Sequence, residues 1–305
     1  MDNLVESLGA SFQVSKTSNN IYANHPRFDQ YKQKTAKSSD QNVRREKFLA
    51  KQKERRFNYQ SHVRCLALDE WDSEEDDSNL SDSEMDTSET VQKPPKRYKD
   101  QLMLSEWLVE VPSDFEQEWV MRICPLGRRN LVVASRNRTC AYSKSGYCVN
   151  TFASALPGGS YDTNSGYTVL DCVFNEIDKT FYVLDVMCWN NHPMYDSETE
   201  FRLFWLHGKL SETPELAELT PNNSFKFVVV QNYPCHKEFI SSALSTTDID
   251  KVDGLLFYHK RTHYTFGATP LVTWLKVHML KDILGIPPPN TKHDIQRSKL
   301  EMEHS

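Results

Sequence analysis

"YTVLDCVFNEIDKTFYVLDVMCW", residues 167–189, decides how this chain folds. Two runs rich in β-branched and aromatic residues flank "NEIDK", a short loop with Asn and Asp. The stretch predicts a β-hairpin. Short apolar runs of the same kind recur on both sides: "WVMRIC", "LVVAS", "FRLFWL", "FKFVVV" and "DGLLFYH". Turn residues separate them, as in "PLGRR" and "LPGGS". The pattern predicts strands of a largely antiparallel sheet system, with "WVMRICPLGRRNLVVAS", 119–135, as a second hairpin. Helical spacing is visible in "DQLMLSEWLVE", "KEFISSALS" and "TWLKVHMLKDILG", and "IPPPN" then stops regular structure. The expected fold class is α+β, mostly antiparallel sheets with flanking helices, in one domain over 97–288.

Outside that domain the texture changes. The chain has 305 residues, 38% hydrophobic and 26% charged, with a formal net charge of -6. That is less apolar than an average globular chain and suggests a core with disordered segments attached. No window approaches the roughly 18–20 apolar residues of a membrane span. The acidic start "MDNLVESLGA" is not a secretory signal. The seven cysteines, at 65, 124, 140, 148, 172, 188 and 235, form no C-x-x-C pair and read as reduced core thiols. Neither a metal nor another cofactor is implied.

Charge divides the first hundred residues. From His25 to Arg64 there are twelve Lys or Arg against four Asp or Glu; from Leu66 to Gln92 there are eleven acids and no base. The acidic, Ser-rich stretch buries too little apolar surface to offset the entropy of ordering, and disorder is expected over 66–96. The basic stretch predicts a helix over 42–57, with Ser38 and Gln41 at capping-box spacing. Arg44, Lys47, Lys51 and Arg55 share one face, with few apolar residues anywhere. Polar all round, such a helix is expected to fold on an acidic partner. Nucleic acid would use the same charges, and a solvated charged helix is the plain alternative. At the extreme N-terminus Met1, Leu4, Leu8 and Phe12 line one helical face, and Phe12 with Val14 fits an extended end. This is the spacing of a leucine-rich export signal, or of a terminal helix packed on the core.

"HPRFDQYKQK" followed by "RREKFLAKQKERR" resembles an importin-β-binding domain, an extended basic segment and then a long basic helix. Its extended part would be Arg27, Phe28, Tyr31 and Lys32, and its helix about 41–64, carrying Arg44, Arg45, Lys47, Lys51, Arg55 and Arg56. Beyond it, "QLMLSEWLVEVPSD", "AYSKSGYCVN", "YVLDVMCW", "DGLLFYHK" and "THY…TPLVTWL" closely resemble the snurportin family. The resemblance implies an import adaptor. It would bind the 2,2,7-trimethylguanosine cap of spliceosomal U snRNAs, carry the snRNP core to importin β, and return through a leucine-rich-signal exportin with Ran-GTP. It would shuttle between nucleus and cytoplasm, with no membrane partner. The expected organisation is an export segment (1–15), an importin-β-binding domain (16–65), an acidic linker (66–96), the cap-binding domain (97–288) and a mobile tail (289–305).

The family core is similar to the nucleotidyltransferase domain of RNA capping enzymes. "VDGLLFYHK" and "LVTWLK" resemble two strands of that domain. The counterpart of its lysine motif is "ASRNRT", 134–139, which has neither the lysine nor the aspartate. Without that lysine no covalent guanylate forms, so a binder is expected rather than a guanylyltransferase, the alternative reading. N7 methylation leaves guanine cationic, which calls for an electron-rich aromatic face. By the resemblance Trp274 stacks on the base. Leu104, Trp107 and Cys124 form an apolar shelf for the N2 methyls, Ser105 makes a polar contact, and Arg129 and Lys144 meet the triphosphate. Arg128, Lys260 and Arg261 are further cations near it. Trp274 could equally be a core residue. Trp119, Trp189 and Trp205 read as core, and Asp185 and Asp253, at positions of the enzymes' metal acids, as structural.

Overall fold

The 167–189 stretch folds as the hairpin its pattern predicts, β6 (Thr168–Asn175) and β7 (Thr180–Trp189), closed by the pair Asn175↔Thr180. The computed structural model describes residues 41–54, 58–70, 97–161, 163 and 166–287. The chain divides into two units, Met1–Asp40 and Gln41–Ser305, and every described residue belongs to the second. The export-signal residues Met1, Leu4, Leu8, Phe12 and Val14 lie outside the described residues. So do Ser38, the extended segment Arg27, Phe28, Tyr31 and Lys32, the helix residues Arg55 and Arg56, most of the acidic linker, and the tail.

Two sheets carry the fold. The first runs β1 (Met103–Trp107), β12 (Gly267–Leu275), β11 (Val252–His259), β2 (Trp119–Pro125), β10 (Asn232–Pro234). The second runs β5 (Cys148–Phe152), β4 (Arg138–Ser143), β3 (Arg128–Ser135), β6, β7, β8 (His192–Pro193), with β9 (Lys226–Val229) also on β7. All pairings are antiparallel except β1 with β12 and β7 with β9. The α+β, mostly antiparallel class is therefore the observed one.

Four local expectations are corrected. The 119–135 stretch is not a hairpin: β2 and β3 belong to different sheets, and Leu126 and Gly127 carry the chain between them. A Cβ at Gly127 would meet the Phe174 carbonyl oxygen at 2.4 Å and Val173 Cγ1 at 2.6 Å, so the crossing runs too close to β6 for any side chain. "DQLMLSEWLVE" is not helical. Its centre is β1, because the free edge of β12 satisfies its backbone. "FRLFWL" is not a strand. It lies in a helix, Thr199–Glu212, whose Leu203, Leu206 and Leu210 are buried at helical spacing while Phe201 and Phe204 face solvent. "TWLKVHMLKDILG" is divided: Trp274 and Leu275 end β12, and a short helix forms at Leu280–Leu284.

The inter-sheet core includes a second N-terminal helix. The helical arm expected as one piece over 41–64 is resolved into α1 (Gln41–Glu54) and α2 (Tyr59–Leu68). Asn58 caps α2, its side chain accepting from Ser61 N–H at 3.0 Å. Tyr59, Val63, Leu66 and Ala67 are buried in the same cluster as Leu131, Val169, Leu184 and Tyr258. Tyr59 stacks on Tyr195 with centroids 4.7 Å apart. Residue 65 lies within α2, which packs into the core on both sides of it.

A polar layer runs through this core. Asp171 and Asp185 face each other across the β6–β7 register, both fully buried. Like charges so placed repel, and each holds its own arginine. Arg129 binds Asp171 through Nε and Nη2, both at 2.7 Å. Arg202 binds Asp185 at 2.9 and 2.8 Å. Arg122, buried on β2, donates to the carbonyls of Leu184 and Val230 and so ties the two sheets together.

Candidate functional site

A cavity of about 290 Å³ opens where the ends of β1, β2, β11 and β12 meet the start of β3. Register builds its floor. Trp107 pairs with Trp274 across the parallel β1–β12 junction, Trp274 with Leu256, and Gly254 with Cys124. Paired residues share a face, so two tryptophans, a leucine and a thiol line one surface. Gly254 has no alternative here. A Cβ would meet Trp274 Cζ2 at 2.5 Å and the Leu275 carbonyl oxygen at 2.8 Å, so the bare backbone is what lets the indole lie across β11. Ser105, Glu106 and Trp107 are consecutive, yet all three line the cavity. An unbroken strand would turn one of them away; the register shift between Ser105 and Glu106 prevents that.

Of the eight residues expected at a cap site, Ser105, Trp107, Cys124, Arg129 and Trp274 line this cavity. Leu104 packs against the inter-sheet core instead. Arg128 is exposed at the start of β3, and Lys144 is exposed on the β4–β5 turn. Lys260 and Arg261 lie past the opposite end of β11, held by the Gln117 carbonyl at 2.6 Å and by Glu118 at 3.1 Å. Trp119 and Trp189 are buried as expected. Trp205 is only partly buried, and it lies on a helix, not a strand. Asp185 is fully buried and bound by Arg202. Asp253, read as structural, lines the cavity. Glu106 was also missed, because an acid beside a tryptophan in a short apolar run carries no signal of its own.

Burial sets the chemistry of two groups. It pushes the Cys124 thiol up to about 12, so it meets a ligand as a neutral, weakly polar surface. For Arg129 burial alone would lower the pKa. The charge of Asp171 and its two hydrogen bonds outweigh that and hold the guanidinium firmly charged. Nε and Nη2 are committed to Asp171 and to the Met103 carbonyl; Nη1 has no partner among the described residues. The wall therefore offers one fixed cationic donor, two indoles and a serine hydroxyl, beside two acids, Glu106 and Asp253, that are each paired with a cation. That set suits a flat, positively charged aromatic ring attached to phosphate. Among the described residues no cluster of His, Cys, Asp or Glu could hold a metal, and no helix is long and apolar enough to cross a membrane.

The basic helix α1 reaches the same wall. Arg44 binds Glu106 in a fork, at 2.7 and 2.6 Å, and these bonds raise its pKa. Gln41 donates to the Trp107 carbonyl at 3.0 Å. Arg45 is buried, donating to the carbonyls of Glu110 and Pro270, and its burial lowers its pKa to about 10. Gln52 bonds the Arg261 carbonyl at 2.6 Å and accepts from His263 N–H. Lys47 and Lys51 stay exposed. The expectation that this helix needs an external acidic partner to form is corrected: it docks on the core through polar side chains.

The family model described as Snurportin1, m3G cap-binding domain, matches residues 101–277. A second, described as Snurportin1, matches residues 25–65. Among solved structures, the ligase domain of LigD from M. tuberculosis superposes with a TM-score of 0.41 at 14% identity, over 57% of this chain and 58% of that domain. A Lig E DNA ligase gives a TM-score of 0.38 at 16% identity, over 57% of this chain and 68% of that one.

Proposed function

The chain belongs to the Snurportin1 family and is a cap-binding import adaptor; from that premise we propose that the paired-tryptophan cavity is where the trimethylguanosine cap sits. The observation that carries this is the Trp107–Trp274 pairing beside Arg129. Trp274 stacks on the cationic base. Trp107 and Cys124 form the apolar shelf for the N2 methyls, which have no proton left to donate. Ser105 meets the base or ribose, and Arg129 Nη1 the phosphate bridge, with Lys144 outside the cavity as a further cation. Titrating the full chain with trimethylated and monomethylated cap dinucleotides tests this. Two buried methyls at about 0.8 kcal/mol each should favour the trimethylated form by about tenfold; equal affinities would exclude the shelf.

The basic arm serves importin β, in this reading, through Arg27, Phe28, Tyr31 and Lys32 and then through Arg44, Arg45, Lys47, Lys51, Arg55 and Arg56. Lys47 and Lys51 are accessible as they stand. Arg44 and Arg45 are engaged by Glu106 and by core carbonyls, so handing them to importin β means lifting α1 from the core. The acidic linker acts as a spacer. Met1, Leu4, Leu8, Phe12 and Val14 form the export signal, and the protein shuttles. Leu4→Ala with Leu8→Ala should abolish capture by the exportin with Ran-GTP and trap the protein in the nucleus; unchanged capture would remove the signal.

No nucleotidyl transfer is part of this function. "ASRNRT" forms the tight β3–β4 turn, with Arg136 and Asn137 at φ of 51° and 63°, and it holds no lysine. A stable adduct with labelled GTP on any core lysine would overturn that.

A further inference from the structure

Lys276 follows Trp274 by two residues, directly after the end of β12, and its backbone is still extended, so its side chain leaves on the same side as Trp274. It does not extend into solvent. Its ammonium sits 5.5 Å from the Trp274 ring centroid. From there it donates to the Asp253 carbonyl at 2.8 Å and to Asp253 Oδ1. Asp253 itself lines the cavity. A positive charge thus already rests against the indole, paired with a carboxylate on the wall, before any ligand arrives.

Resting on the reading that Trp274 stacks on the cap, we propose that Lys276 and Asp253 are specificity-determining residues: Lys276 holds the place of the base's positive charge, and Asp253 receives that charge on binding. The physical reason is charge accounting at one aromatic face. A base that stacks on the ring face where the ammonium rests displaces it. A neutral base leaves Asp253 without its counter-charge. An N7-methylated base restores it, because its own charge lies over the same ring and beside the same carboxylate. The displaced lysine returns to water, which its partly exposed position allows. The lysine therefore opposes every stacking ligand equally, and the aspartate separates charged from neutral ones.

Nucleosides without phosphate isolate this effect, since they remove any contact of Lys276 with the cap's phosphate bridge. Titrate 2,2,7-trimethylguanosine, which is cationic, and N2,N2-dimethylguanosine, which is neutral, against full-length wild type, Lys276→Met, Asp253→Asn and Trp274→Ala. Lys276→Met should tighten both nucleosides by about three- to fivefold, the scale of a half-exposed ion pair. Asp253→Asn should lower the ratio of charged to neutral affinity by about tenfold. The inference is overturned if Lys276→Met binds the nucleosides no tighter than wild type, or if the Asp253→Asn ratio falls by less than threefold. Trp274→Ala separates the two levels. If it leaves both nucleosides unaffected, the stacking reading itself fails; if it abolishes binding while the other variants behave as wild type, only the roles of Lys276 and Asp253 fail.

Discussion

Asp185→Asn should cost about 3–5 kcal/mol of folding stability, the usual penalty for stripping one partner from a buried ion pair. Asp185 and Arg202 are both fully buried and share two hydrogen bonds. Arg202 has no route to solvent: its remaining nitrogen, Nη1, donates to the Ser197 and Thr262 carbonyls, and Nη2 also reaches the Thr199 hydroxyl. Losing the aspartate leaves that guanidinium charged in the core, with Arg122 also buried nearby on the facing sheet. A thermal melt should show Tm lower by about 6–20 °C. Cap affinity measured below the transition should be unchanged, because Asp185 does not line the cavity. The outcome discriminates a core ion pair from a ligand-binding acid. A variant with wild-type Tm and weakened, metal-dependent ligand binding would return Asp185 to a ligand role.

Trp274→Ala should weaken binding of a trimethylated cap dinucleotide by about 1–3 kcal/mol, the size of a base–aromatic contact, or roughly five- to 150-fold in Kd. The indole is only partly buried, lies against Gly254 and lines the cavity. Its removal opens the site more than the core, and the melt should move little. Trp107→Ala should act differently. The loss of an apolar surface under two methyls should reduce the preference for the trimethylated cap about tenfold. Titrating both analogues against the two variants reads the two roles separately. A large fall in Tm with no selective change in affinity would make either residue a core tryptophan and sink its assignment.

Sequence reading and structure agree best where local pattern and long-range pairing have the same cause. The 167–189 hairpin needs only alternation, a turn and contact between neighbours in the chain, so its sequence is sufficient. The 119–135 stretch has the same surface features, yet its halves join different sheets. What decides is the close pass of Gly127 against Phe174 and Val173, residues almost fifty positions away. In "FRLFWL" six consecutive large residues mask the period; the burial of Leu203, Leu206 and Leu210 shows the helix. "SEW" resisted reading for another reason. The strand is parallel to β12, a pairing that leaves no turn signature in the sequence.

By itself the sequence determined the α+β class, the charge-divided N-terminal hundred residues and the family through its motifs. Each of these rests on residue type and local spacing. The tertiary structure alone decided which candidates share a wall, bringing Trp107, Trp274, Cys124 and Arg129 together and leaving Arg128 and Lys144 outside it. It added Glu106 and Asp253, whose importance lies in the cations that face them, Arg44 from 62 residues away and Lys276 across one sheet register. It also docked α1. Hydrophobic periodicity could not foresee that contact, because Gln41, Arg44, Arg45 and Gln52 bind the core through hydrogen bonds to carbonyls and a carboxylate. Such bonds depend on where acceptors point in three dimensions, and no spacing along the chain encodes that direction.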